Sequence, residues 1–521
     1  MPRHLRTVAL IASLFFSFNL IAQTTGPLRF RVTLDPALSS KPVSGRLIVF
    51  MTNNPKPQAV LEPGMGDEGG KTWVAAREIP QLAPDESVDL DAEEIAYPEP
   101  LSKAPAGDYQ VMVLLDVDHN AGYNTFTDAD LRSAVVPLKA FNPAQAAPVE
   151  LKLSQHAPPL PPFALQKGEE LIDFVSPSLS KFWGRPIHMR GIVVLPPDYA
   201  SSKVHYPTVY LTHGYGGNMN YYGVSHGKSI PKGMAEGNLP PMIWVLLDES
   251  CPGGTHEFAD SLNNGPWGHA LTTELIPHLE RKYRMDAKPS GRFLTGHSSG
   301  GWATIWLQVT YPNIFGGTWS TSPDPVDFHN FTNIDLYKDA NVYKRPNGSA
   351  TKLIRMNGQD IMSFEQYSRQ DAVMGDYGGQ VSSFDWVFSP RGEDGRPMPM
   401  FDRSTGDIHR EVVNYWLKHY DIDHILVANA KQLVPVLKNK IHIIVGSADT
   451  FYLDGPVHLL QKATAPLGYN GHFTYLEGRT HFDLFKGGVE SRIAKQMYDV
   501  ARPSNTWKPK QAPDPATELA K

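Results

Sequence analysis

The hydrophobic period of this chain changes at a proline-rich stretch, and the change restricts it to two unlike domains in series. From Leu28 to Leu153 apolar and polar residues alternate: Leu28, Phe30, Val32 and Leu34 are interleaved with Arg29, Arg31 and Thr33, and Val149, Leu151 and Leu153 with Glu150 and Lys152. Because successive side chains of a strand point to opposite faces, this period describes half-buried strands. Leu47 to Met51 and Tyr109 to Leu115 add apolar strands, with no helix-period segment between, so residues 27–153 are expected to form a small β-sandwich. Residues 154–168, with Pro158-Pro159 and Pro161-Pro162, read as a semi-rigid linker. Beyond them the runs Gly191 to Leu195, Thr208 to Thr212 and Met242 to Leu247 are short and continuously apolar, as strands covered on both faces must be.

Helical spacing follows: Leu271, Leu275, Ile276 and Leu279 form one stripe, and Val413, Trp416, Leu417 and Tyr420 another. Strands alternating with helices predict an α/β domain over residues 169–500 with a predominantly parallel sheet. Residues 501–521 are proline-rich and charged and are expected to be mostly disordered. A chain of 521 residues can bury two cores, and its 45 prolines and 43 glycines imply many turns. The formal net charge of −6 provides no broad basic surface, which excludes nucleic acid as an expected partner. Cys251 is the single cysteine, so no intramolecular disulfide can form. Residues 1–22 read as a signal peptide: Arg3 and Arg6 precede an apolar run of about 14 residues, short of the roughly 20 that span a bilayer. The mature chain is therefore expected to be secreted or periplasmic, with no integral membrane segment after cleavage.

The most specific chemical signal is Gly296-His297-Ser298-Ser299-Gly300-Gly301, preceded by Phe293-Leu294 and followed by the helix-compatible run Trp302 to Val309. Strand, sharp turn and helix around G-x-S-x-G push a serine hydroxyl out of the backbone, with the helix N-terminus beside it to receive negative charge. Ser298 is the candidate nucleophile. A serine needs a base held by an acid, and where a G-x-S-x-G elbow stands on an α/β sheet of the hydrolase type the chain order is Ser, acid, His. His481 lies in a loop after the strand-like Phe473 to Leu476, whereas His442 sits inside a strand and His458 inside a helix. Asp449 stands at the end of Ile441 to Val445; Asp454 is its competitor, read instead as a helix cap before Pro456. The oxyanion donors are expected to be the backbone N–H groups of Ser299 and of Tyr215, the latter in the glycine-rich His213 to Asn218.

Residues 170–500 resemble an esterase family of α/β-hydrolases that includes S-formylglutathione hydrolase, feruloyl esterases and the antigen 85 mycolyltransferases. The resemblance rests on HGYGGN (213–218), PGGTHEFADSLNNGPWG (252–268), GHSSGG (296–301) and GSADTFYLD (446–454). It implies the α/β-hydrolase fold and a Ser298–Asp449–His481 triad, and it does not cover residues 28–153. About 120 residues separate the strands near Ser320 and Ile441, so a cap-like insertion over about 323–438 is expected, helical at His409 to Tyr420 and Ile422 to Leu437. His256-Glu257-Phe258-Ala259-Asp260 begins like a zinc motif but carries Asp260 in place of the second histidine. Asp116 to Asn120 begins like a calcium loop but has Ala121 at the glycine position. Neither supports a metal site, and no cofactor is expected. The expected activity is cofactor-free hydrolysis of small-molecule or carbohydrate-linked esters through an acyl-enzyme. Acyl transfer to a sugar or alcohol and non-catalytic surface binding are the alternatives. The acyl and alcohol groups are set by loops and by the insertion, and are not legible in the sequence.

Overall fold

The computed structural model describes residues 27–55, 71–119, 127–158, 164–375, 379–505, 507–511, 514–517 and 519. The expected signal peptide, and residues 120–126 of the calcium-like loop, lie outside the described residues. In the amino-terminal region Arg29–Leu34 is the centre of a three-stranded sheet, antiparallel to Ser87–Asp91 and parallel to Val149–Leu153. It packs on a larger sheet in which Val43–Thr52 lies between Thr72–Leu82 and Gly107–Asp116. The alternating Phe30, Val32 and Leu34 meet Leu47, Val49 and Met51 in the core between the sheets. Ile48 and Phe50 point the other way yet are also buried, because that face packs with Val373 of the second domain. Burial on both faces is why Leu47 to Met51 reads as an unbroken apolar run.

The second domain is built on one eight-stranded sheet: β1 (Glu169–Val175), β2 (His188–Val194), β3 (Thr208–Thr212), β4 (Ile243–Leu247), β5 (Arg292–His297), β6 (Gly317–Thr321), β7 (Ile441–Gly446) and β8 (His472–Leu476). Their spatial order is β1-β2-β4-β3-β5-β6-β7-β8. Strands β1 and β2 are antiparallel, and β3 to β8 run parallel, as continuous apolar strands between helical layers should. This is the expected α/β-hydrolase architecture behind a β-sandwich. Among the described residues no helix is long and apolar enough to cross a membrane.

Among its described residues, the segment between β6 and β7 carries a hairpin of Lys352–Met356 with Gln359–Ser363 and five α-helices, among them Phe364–Met374 and Gln380–Phe388. The helices expected near its end are Arg410–His419, Ile422–Ala428 and Ala430–Leu437, the latter two divided at Asn429. Part of this insertion serves as a bracket for the sandwich. Arg46, 2% exposed, donates to the carbonyls of Ala372 and Val373 at 2.5 and 3.0 Å and pairs with Glu78 at 2.5 Å. Those carbonyls belong to the last turn of Phe364–Met374, where a helix lacks internal partners and favours a cation.

The carboxy-terminal tail corrects the expectation of disorder at its described residues. Lys510 N–H donates to Gly237 O, and Thr517 Oγ1 donates to Gly487 O. Thr517 and Leu519 are buried, and Leu519 and Trp507 join the apolar layer of Ile493 and Met497. Few residues are needed to hold a tail when apolar anchors fall at its end, and a charge-and-proline reading does not weigh single anchors.

Candidate active site

The parallel strands end at one edge of the sheet, where Asp449 pairs with His481 while the Ser298 hydroxyl faces Asp324. Strand β5 turns at Ser298 into the helix Ser299–Thr310. Ser298 itself has φ 61° and ψ −127°, a backbone conformation that side-chain-bearing residues avoid and that is held here by its surroundings. Its N–H donates to Thr321 O at 3.1 Å, and its carbonyl accepts from Trp302 N–H at 3.0 Å. The flanking glycines are a steric necessity: a Cβ on Gly296 would lie 2.3 Å from Gly300 O, and one on Gly300 would lie 2.5 Å from His213 O. The helix start points its free N–H groups and positive dipole end at the serine.

Asp449 and His481 are brought together from loops that follow β7 and β8. His481 Nδ1 lies 3.0 Å from Asp449 Oδ2, with the Asp449 side chain fully buried and that of His481 5% exposed. Asp449 Oδ1 accepts the N–H groups of Phe451 at 2.9 Å and Leu453 at 3.3 Å. Burial pushes the Asp449 carboxyl up, but the His481 imidazole and these donors outweigh it and hold the group below its ordinary value. The imidazole is fixed between Phe451, edge-on at 4.9 Å, and His297 at 4.3 Å. Burial, followed by the His481 charge, lowers His297 to about 3, so His297 is a neutral wall. Asp454 is elsewhere. It is the first residue of the helix Asp454–Thr464, after a Leu453 cap with no side-chain bond, and it pairs with Arg355 at 2.9 Å. The expected cap is thus an ion pair at a helix N-terminus.

The loop after β3 lies against the elbow. A Cβ on Gly214 would be 3.0 Å from Ser298 Cβ, which puts the His213–Tyr215 backbone beside the nucleophile. His213 is clamped by Asp248 Oδ1, 3.2 Å from Nε2, and by Glu249 N–H, 2.9 Å from the same nitrogen. Ser299 is buried, as the second donor position requires.

More than half of the chain, residues 184–464, matches the family model described as "Putative esterase". The chain belongs to this esterase family. Among curated relatives, the uncharacterized protein YbbA of Bacillus subtilis is 24% identical over 144 residues, 26% of this chain and 56% of its own length. Esterase Rv1288 of Mycobacterium tuberculosis is 26% identical over 132 residues, 25% of this chain and 28% of its own. The chain spans about half or less of the length of these relatives. Among solved structures, a ferulic acid esterase aligns at 14% identity and TM-score 0.39, over 64% of this chain and 98% of its own. An S-formylglutathione hydrolase from Agrobacterium tumefaciens aligns at 14% and 0.39, over 64% and 95%.

Sequence reasoning missed Asp324, buried just beyond the end of β6. Its Oδ2 accepts the Ser299 hydroxyl at 2.6 Å and its Oδ1 accepts the Ser298 hydroxyl at 3.4 Å. Burial raises this carboxyl despite the two serines. Two further buried acids lie within its electrostatic reach. Burial lifts Glu249 to about 8, and burial with the Asp324 and Glu249 charges lifts Glu257 well above the carboxylate range. None of the four carboxylate oxygens has a hydrogen-bond partner among the described residues, though Glu249 Oε1 lies 3.7 Å from His213 Nδ1. Glu257 belongs to the segment read for a zinc motif. That segment forms no helix: His256 stacks on Trp267 at 3.5 Å, and Asp260 accepts from Tyr311 OH and His269 N–H. In the calcium-like segment, Asp130 Oδ1 accepts the Val117 N–H and its Oδ2 accepts the Thr127 N–H.

Proposed function

We propose that this esterase is a serine carboxylesterase that works through an acyl-enzyme on Ser298, with His481 as base and Asp449 as the acid that orients it. The observation that carries the reading is the buried Asp449–His481 pair at 3.0 Å at the sheet edge that also presents the strained Ser298. Ser298 Oγ, here donating toward Asp324, would turn about its Cα–Cβ bond to attack the ester carbonyl while His481 Nε2 takes the proton. The carbonyl oxygen then becomes an oxyanion, received by the N–H groups of Ser299 and Tyr215. Collapse breaks the C–O bond to the alcohol, which leaves with the proton from His481. Water activated by the same imidazole cleaves the acyl-serine and restores the enzyme. Asp449, kept ionised by its donors, fixes the tautomer in which Nε2 is free to accept, and stabilises the imidazolium.

This chemistry calls on no metal or cofactor. A secreted or periplasmic setting is proposed from the charged and apolar start of the sequence. The test is an active-site phosphonate. It should add its mass to the peptide containing residues 296–301, and Ser298→Ala should abolish both labelling and aryl-ester turnover. Labelling on Ser299, or full activity in the variant, would reject the assignment.

A further inference from the structure

At the same sheet edge, two strands from the elbow, a cleft of about 740 Å³ opens between the β-sandwich, the loop before β2 and the insertion. Asp118 and His119 of the sandwich form one wall, and Trp386 of Gln380–Phe388 forms another. Its floor includes Asp248, the residue that follows β4 and holds His213, whose neighbour Gly214 abuts Ser298. The cleft is thus linked to the nucleophile through the loops that follow β4 and β3 at the same sheet edge.

The lining has a definite chemistry. Trp183 is 39% exposed, and its Nε1–H donates to Asn264 O at 3.2 Å, which fixes the ring as a platform. Trp386 lies over Gly253, where a Cβ would come within 2.8 Å of the indole, so only glycine lets that ring settle. Arg185 and Arg190 line the cleft and are exposed, and neither guanidinium has a hydrogen-bond or ion-pair partner among the described residues. This contrasts with Arg292, Arg355, Arg403 and Arg502 of the same domain, each paired to a carboxylate at 2.5 to 2.9 Å. In a chain of net charge −6, this cleft brings two planar cations without such partners to one place. Asn264 adds a buried side-chain amide nitrogen that has no hydrogen-bond partner among the described residues and that an all-apolar occupant would leave unpaired.

Indole faces suit the C–H face of a pyranose ring, the polar groups suit its hydroxyls, and guanidinium forks suit carboxylates. Resting on the hydrolase reading above, we infer that the cleft binds a carboxylate-bearing sugar chain, so that the esterase acts on esters carried by uronate-containing oligosaccharides. The sandwich then contributes directly to substrate selection.

The experiment is calorimetric titration of the full-length protein with tetragalacturonate and, as the neutral comparison, cellotetraose. The uronate chain should bind at least about tenfold more tightly, as two charge-assisted contacts allow, and the preference should shrink as salt rises. Arg185→Gln with Arg190→Gln should remove the preference while cellotetraose binding and the circular dichroism spectrum stay as in the parent. Trp183→Ala should weaken both sugars and provides a second reading if the double variant does not fold. Equal affinity for the two sugars, or a preference intact in the folded double variant, overturns the proposal. Aryl-acetate turnover in the parent and its loss in Ser298→Ala read the hydrolase separately. Uronate preference without any turnover would reject the hydrolase and, with it, the ester substrate assigned here.

Discussion

Replacing Asp449 with asparagine is the sharpest perturbation, because the structure dictates which way the new amide must face. Asp449 Oδ1 accepts two backbone N–H groups, from Phe451 and Leu453, whereas Oδ2 faces His481 Nδ1. In Asp449→Asn the amide oxygen stays with the two backbone donors, since turning it would set an NH₂ against two N–H groups at a buried site. The NH₂ then faces His481 and requires its Nδ1 to accept, which moves the ring proton to Nε2. An imidazole in that tautomer cannot take the Ser298 proton. The equivalent change in the trypsin-type triad costs about 10⁴ in kcat with geometry intact, and the same tautomer argument applies here. That factor is about 5.4 kcal/mol of transition-state stabilisation. The assay is kcat and kcat/KM on an aryl ester, with Asp454→Asn as the comparison. Asp454 pairs with Arg355 at the partly exposed start of a helix, so its variant should keep activity and lose about 1 kcal/mol of stability or less. A folded Asp449→Asn protein with more than about a tenth of parental kcat, or a deeper loss in Asp454→Asn, would refute the reasoning.

Three further outcomes are expected. Glu249, at about 8 in the folded chain against its ordinary 4.5, binds a proton that the unfolded chain releases, so its contribution is complete below about pH 4.5 and is lost as pH rises toward 8. Glu249→Gln should therefore flatten the fall in stability across that window, by on the order of 4 kcal/mol at most, measured as denaturation midpoints at pH 5 and 8; an unchanged pH slope would contradict it. Arg46→Met should loosen the sandwich from the insertion at a cost of about 3 kcal/mol, because Glu78 and two helix-terminal carbonyls lose their cation; a lower unfolding midpoint with early cleavage near residues 154–168 is the readout. A truncation covering residues 164–521, which keeps the packed tail, should still turn over aryl acetate, and complete loss in a folded product would show that the sandwich completes the catalytic site.

What was legible in the sequence were features carried by local pattern. The alternation at Phe30, Val32 and Leu34, the unbroken runs of β3 and β4, and the glycines around Ser298 each act over a few residues, so neighbours in the chain suffice to read them. Asp449 and His481 were readable as loop residues after strands, because a parallel sheet delivers all such loops to one edge. Asp324 was not. It is one acid in a turn of prolines and serines, and only the pairing of β5 with β6 sets it beside Ser298 and Ser299. Glu249 and Glu257 were obscured for a different reason: charge in a sequence predicts solvent, and these two carboxyls are fully buried beside other acids. Their burial has a consequence for the chemistry. A carboxylate next to a forming oxyanion opposes it, at about 3 kcal/mol for unit charges 5 Å apart in a partly screened interior. Burial raises the carboxyls of Glu249, Glu257 and Asp324, Glu249 to about 8, and so weakens that opposition. The same burial that costs stability as pH rises thus lessens the negative charge that the acids near Ser298 would otherwise carry.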